Sequence, residues 1–219
     1  FAATSANTNS ANANDFTDLQ KAAKGQTVYF NAWGGDTKIN NYISWAGKVL
    51  SEKHDIKLVH VKLTETASAV SRILAEKAAG RREGGSIDLL WVNGENFAAM
   101  KRAQLLQDRP WVTSLPNWRY TNSLTLPAIL SDFAEPTDGK ESPWGRAQLV
   151  FSYDSARLKS PPKSATALAK FIAENPGRFT FPQPPDFIGM SFLKQILLEL
   201  SNGNPALYQP ANDFNFESV

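Results

Sequence analysis

Three observations predict an α/β protein built around a parallel sheet. Short β-branched and aromatic runs alternate with segments of helical period through the first half of the chain. The run Ile87–Val92 is nearly continuous in apolar residues, as in a strand covered on both faces. Gly-bearing loops fall where one kind of segment gives way to the other. The resulting β-α-β-α-β order implies right-handed crossovers and a doubly wound domain. In such sheets ligands bind beyond the carboxyl ends of the strands, where the strand order reverses; a 2-1-3 order sets the loops after strands one and three side by side.

Taken in order, Phe1–Asn14 is almost wholly Ala, Ser, Thr and Asn and cannot bury enough apolar surface to order itself, so residues 1–26 read as a tail and lead-in. Such a tail commonly follows a removed secretory signal. Thr27–Asn31 reads as the first strand, ending in Trp33-Gly34-Gly35. Asp36 or Thr37 caps a helix whose apolar positions Ile39, Tyr42, Ile43, Ala46, Val49 and Leu50 keep the i, i+3, i+4, i+7 rhythm to about Lys53. Ile56–Val61 is the second strand. Thr66 caps a helix carrying Val70, Ile73 and Leu74, and Ile87–Val92 is the third strand, followed by a helix over Asn96–Ala103.

Periodicity then dissolves in the Trp- and Pro-rich stretch Asp108–Pro143, where the domain changes: 27–142 form the first lobe and 143–219 a crossover strand with part of a second. Trp111 and Trp118 read as anchors of this long loop, with contact to a partner protein as the alternative. Arg146–Tyr153 reads as a strand, Ser164 as the cap of a helix with Leu168, Phe171 and Ile172 that Gly177 ends, Arg178–Phe181 as a strand, and Ile188–Leu200 as a strongly apolar helix.

The composition excludes several functions. The 219 residues carry 23 Lys+Arg against 21 Asp+Glu, a net charge of +2, and the basic pair Arg81-Arg82 is answered at once by Glu83, so nucleic acid is not an implied partner. Without Cys there are no disulfides and no thiol chemistry. Neither apolar run, Ile87–Val92 nor Ile196–Leu200, approaches the roughly 20 residues of a membrane helix. The sequence has no GxGxxG, Walker A, GxSxG or HExxH motif, and neither His54 nor His60 has a carboxylate at helical spacing, so no cofactor and no metal site is expected.

Three loops at strand ends carry the remaining chemistry. Trp33-Gly34-Gly35-Asp36 offers a flat ring, two residues that let a ligand approach the backbone, and a helix N-terminus behind; equally, Trp33 fills a core edge and Asp36 is only a cap. Asn93-Gly94-Glu95-Asn96 is a second such loop, or simply a helix start with an acid favoured by the dipole. Pro184–Ser191 places Asp186, Phe187, Gly189, Met190 and Ser191 at the start of the apolar helix. Two rings and two acids among Trp33, Glu95, Tyr153 and Asp186 favour a small polar solute, an organic cation among the candidates. A hydrolase drawing an acid–base pair from Asp36, Glu95 and Asp186 is the alternative.

The segments VYFNAWGGDTKINNYISWAG, IDLLWVNGENFAAM, PWGRAQLVFSYDSARLKSPPKSATAL and NPGRFTFPQPPDFIGMSF together resemble the bacterial extracellular solute-binding proteins of family 1, over about Thr27 to Gly203. The resemblance implies a two-lobed, type II periplasmic binding protein fold that closes on a solute, acts without catalysis as a monomer in the periplasm, and delivers its solute to an ABC transporter permease. By position it implies that Trp33, Gly34, Gly35, Asn93, Gly94 and Glu95 line the cleft from lobe one. Tyr153, Asp154, Phe187, Gly189, Met190 and Ser191 line it from lobe two, with a hinge near Pro143–Gln148. Members of the family are longer, and the sequence stops at Val219 inside the implied second lobe, which leaves that lobe incomplete.

Overall fold

The computed structural model describes residues 16–145, 148–183 and 186–209. It has a mixed α/β architecture in two compact units, one ending at Pro143 and the other starting at Trp144. Among the described residues no helix is long and apolar enough to cross a membrane.

The first unit opens with the amphipathic helix α1 (Phe16–Ala23) and strand β1 (Thr27–Trp33). Helix α2 (Thr37–His54) starts where the Asp36 carboxylate accepts the Ile39 N–H at 2.8 Å. It stops where Asp55 turns left-handed, at φ 56°, and the N–H groups of Asp55 and Ile56 bond back to Ser51 and Leu50. Strand β2 (Lys57–Leu63) pairs in parallel with all seven residues of β1, from Thr27 opposite Lys57 to Trp33 opposite Leu63. Helix α3 (Thr66–Ala78), strand β3 (Leu89–Leu90) and helix α4 (Gly94–Arg102) follow. The sheet order is β2-β1-β3, all parallel.

Alternation along the strands sorts the core onto two faces. On one face Phe30 and Ala32 of β1 pack with Ile43 of α2, joined by Ile39, Leu58 and Trp91. On the other, Leu63 of β2 packs with Ala69 and Ile73 of α3, Ile87, Met100 of α4 and Leu105, joined by Leu90 and Val92.

Two details differ from expectation here. Thr66 is the first residue of α3 rather than its cap: Glu65 holds the cap position, and the Thr66 hydroxyl donates to the Trp91 carbonyl at 3.3 Å. Strand β3 is two residues long rather than six. Asp88 puts its side chain on the Tyr29 N–H (2.8 Å) while its own N–H donates to the Tyr29 carbonyl (3.3 Å). Although residues of the run join both core faces, Leu89 is 41% exposed, so the cover is partial.

The stretch after α4 folds into short 3-10 turns, Val112–Ser114, Pro116–Tyr120 and Pro127–Leu130, and the hairpin β4 (Ser131–Asp132) and β5 (Glu135–Pro136). Val112 is buried beneath it, and Trp111 donates its indole N–H to the Lys140 carbonyl at 3.2 Å, anchoring the loop.

In the second unit, helix α5 (Ala165–Glu174) is capped by the Ser164 hydroxyl on the Ala167 N–H, and helix α6 (Phe187–Leu200) by the Asp186 carboxylate. The Glu199 side chain accepts the Ala165 N–H at 2.6 Å and ties the helices together. Helix α5 ends at Glu174, before Gly177, which lies in the following turn with φ 75°. The expected strands are absent among the described residues: Gln148–Tyr153 and Arg178–Phe181 have no ladder, and Arg146 and Ala147 lie outside the described residues. The rings of Phe151, Phe179 and Phe181 pack against Phe192 instead, with centroids 5.9, 5.5 and 4.6 Å away.

Candidate functional site

The 2-1-3 strand order brings the ends of β1 and β3 together, and with them the first two loops. Trp33, 43% exposed, meets the Trp91 ring edge-on at 6.4 Å. Its indole lies over Gly35, leaving no room for a Cβ there. Gly34 continues the ladder by donating to the Leu63 carbonyl at 3.0 Å, and its own carbonyl accepts from the Asn40 side chain at 2.9 Å. The loop is therefore fixed by its backbone.

Asn93 holds the cap position of α4 in an extended conformation and makes no side-chain cap bond. That role falls to a residue from elsewhere: the Asp132 carboxylate in β4 accepts the Gly94 N–H. Gly94 has φ 50°, and a Cβ on it would sit 3.3 Å from the ring of Phe133. Phe133 and Ala134 form the two-residue hairpin turn with φ 47° and 70°, a conformation that normally selects Asn-Gly. Glu95 stands exposed in the first turn of α4. Burial, with the Asp132 charge adding to it, pushes the Glu141 carboxyl up to about 8. At neutral pH Glu141 is a proton-bearing group beside an acid that caps a helix.

Asp132, Phe133 and Glu141 were not legible as site residues. They join the Gly94 loop only through tertiary pairing, 38 residues apart in the case of Asp132 and Gly94.

In the second unit, Tyr153 is 53% exposed. Asp154 accepts the Ala156 N–H at 2.9 Å and pairs with Arg157 at 3.3 Å. Asp186 accepts the N–H groups of Ile188 (2.8 Å) and Gly189 (3.1 Å). Phe187 is 47% exposed, Met190 is half-buried, and the Ser191 hydroxyl donates to the Phe187 carbonyl at 2.7 Å. Gly189 is buried where the Pro182 carbonyl leaves no space for a side chain. Pro184 and Pro185 lie outside the described residues. Asp36 and Asp186, two of the three acids on which a hydrolase would depend, are thus helix caps. Among the described residues no three His, Asp or Glu side chains gather as a metal site.

The model of the family described as bacterial extracellular solute-binding protein matches residues 45–214. The chain belongs to this family. It is also 48% identical over 207 residues to protein YnjB of Escherichia coli (strain K12). That alignment takes in 94% of this chain and 53% of the relative, so the chain spans about half the length of the curated relative it matches.

Proposed function

We propose that the chain is part of a periplasmic receptor for an ABC transporter, a two-lobed type II protein that holds a small polar solute in an interlobe cleft and hands it to a membrane permease without chemical change. Membership of the solute-binding family is the observation that carries this reading. The gathering of the Trp33–Gly35 and Asn93–Glu95 loops at the switch point of the sheet is the geometry that fits it. On this reading the units parting at Pro143 are the lobes, and Tyr153, Asp154 and Asp186–Ser191 serve the cleft from the second.

The solute's chemistry follows from how the helix N-termini are used. A free N-terminus attracts an oxyanion. Those of α2, α4 and α6 are each occupied by a carboxylate of the protein itself, from Asp36, Asp132 and Asp186. With Trp33 just ahead of α2 and Glu95 in the first turn of α4, a solute bearing an ammonium-like group or several hydrogen-bond donors is favoured over an anion.

Native mass spectrometry of the full-length protein purified from its host tests the reading. The expected result is a one-to-one small-molecule adduct whose mass identifies the solute. Retitration with that solute shows weaker binding in Trp33→Ala and no product formed. Turnover of the solute, abolished by Glu95→Gln, would refute the receptor reading.

A further inference from the structure

We propose that the groove between α2 and β2 is a second binding site, one that takes a phosphate-type oxyanion. The groove has a volume of about 520 Å³, within the range of small-molecule pockets. It exists because β2 is an edge strand and α2 packs across its face. At Gly47 the helix runs close to β2, and a Cβ there would stand in ordinary van der Waals contact with Leu58, 3.5 Å away. Helical spacing turns Asn40, Asn41, Ser44 and Lys48 toward the groove, and strand alternation adds His60 and Lys62 from the opposite wall.

The lining holds two ammonium groups and no carboxylate; its imidazole, His60, already has Nε2 on the Ala32 carbonyl at 3.3 Å. Lys48 approaches Glu52 only at 3.8 Å, and both are largely exposed, so that pair neutralises little. Lys62 has no ion pair among the described residues. An oxyanion in the groove gains charge-assisted hydrogen bonds from these ammonium groups. A phosphate group suits the donor set better than a carboxylate. Point charges from the two walls, Lys48 and Lys62, with the Asn41 amide and Ser44 hydroxyl of α2, match a tetrahedral anion, whereas the planar fork that matches a carboxylate is missing because no Arg lines the groove. The Asn40 side-chain N–H is not among these donors, being held by the Gly34 carbonyl.

This site is separate from the acid-rimmed loops but shares a wall with one of them. The Lys62 stem lies 2.8 Å from where a Cβ on Gly34 would be, and Asn40 holds the Gly34 carbonyl. Filling the groove is therefore felt at Gly34.

The test is a titration of the 219-residue chain with inorganic phosphate at constant ionic strength, followed by backbone amide chemical shifts. A parallel arm measures co-sedimentation with vesicles of phosphatidylglycerol in phosphatidylcholine. The proposal expects saturable shifts at Ser44, Lys62 and Gly34, and Lys62→Gln weakening binding about tenfold or more. Ser44→Ala, an exposed change with no bearing on the fold, weakens it to a lesser degree. Saturation by free phosphate without vesicle binding assigns the site to a soluble anion. Vesicle binding that Lys62→Gln abolishes assigns it to a lipid headgroup. Shifts that chloride reproduces, binding that Lys62→Gln leaves intact, or no binding in either arm overturns the proposal.

Discussion

Single residues in the site are chosen for what they leave out as much as for what they supply. Gly189 lies in the first turn of α6 against the Pro182 carbonyl, so a methyl group there must push either the helix or the preceding loop. Gly189→Ala is expected to cost about 1–3 kcal/mol in urea unfolding, as overpacking does. Gly145→Ala, where nothing lies within 4 Å, leaves the midpoint unchanged. Glu141 gives a prediction with a sign. Its carboxyl rises from 4.5 to about 8 on folding, so between those values the folded state keeps a proton that the unfolded state has released. Stability is therefore full below about 4.5, falls as pH rises toward 8, and levels off above it. Glu141→Gln is expected to flatten this slope and to raise the melting temperature relative to the parent at pH 9 but not at pH 4. An unaltered slope in the variant would assign the effect to another group.

At the level of elements, the hairpin β4–β5 acts as a clamp along α4. Asp132 and Phe133 hold the helix start at Gly94. Near the helix end, Lys101 bonds to Glu135 (2.7 Å), Asp138 (2.8 Å) and the Pro136 carbonyl (2.7 Å). Burial works against the Lys101 charge, but these carboxylates outweigh it and its pKa is raised. The stabilisation is thus whole below the ordinary lysine value and is lost only as pH climbs through the raised one. Lys101→Met is expected to destabilise the protein by about 2 kcal/mol at pH 7 and to speed amide exchange in 131–138, read by hydrogen exchange.

Elements of this kind mark the limit of what the sequence discloses. Helices α2 and α5 were legible because caps and period are local, Asp36 and Ser164 sitting next to the helices they start, and α6 from its apolar run alone, since the sequence reads Asp186 as a site residue and not as the cap it is. The parallel pairing was legible because strands that alternate with helices need crossover connections, and the 2-1-3 order is the common arrangement of such units. Strand length was not: the ladder of β3 covers only Leu89 and Leu90, and beside it the Asp88 side chain takes the Tyr29 N–H. The strands expected at Arg146–Tyr153 and Arg178–Phe181 do not form a ladder among the described residues, where the rings of Phe151 and Phe181 pack on Phe192 instead. In the site, the Trp33 and Gly94 loops could be read from composition, while Asp132 could not, because capping a helix from another element leaves no mark in the sequence around it.

For the whole molecule, the two units differ in how much apolar surface each buries by itself. The first closes two clusters on opposite faces of its sheet, including Phe30, Ile43, Leu63, Ile73 and Met100. In the second, the buried apolar side chains among the described residues are Ala165 and Phe192, while Ile188, Leu193, Leu197 and Leu200 along α6 are 41–54% exposed. Burial at about 25 cal/mol per Å² is the main term opposing chain entropy, so the opening free energy of α6 must be smaller than that of β1. Hydrogen exchange under native conditions reads this directly. The amides of β1 that bond to β2 are expected to exchange slowest and to report global unfolding, and those in the middle of α6 to exchange at least about tenfold faster through local opening. Equal protection of β1 and α6 would mean that the exposed face of α6 is covered in solution by a contact of this chain with something further, and would make that contact, rather than the internal packing of the second unit, the source of its stability.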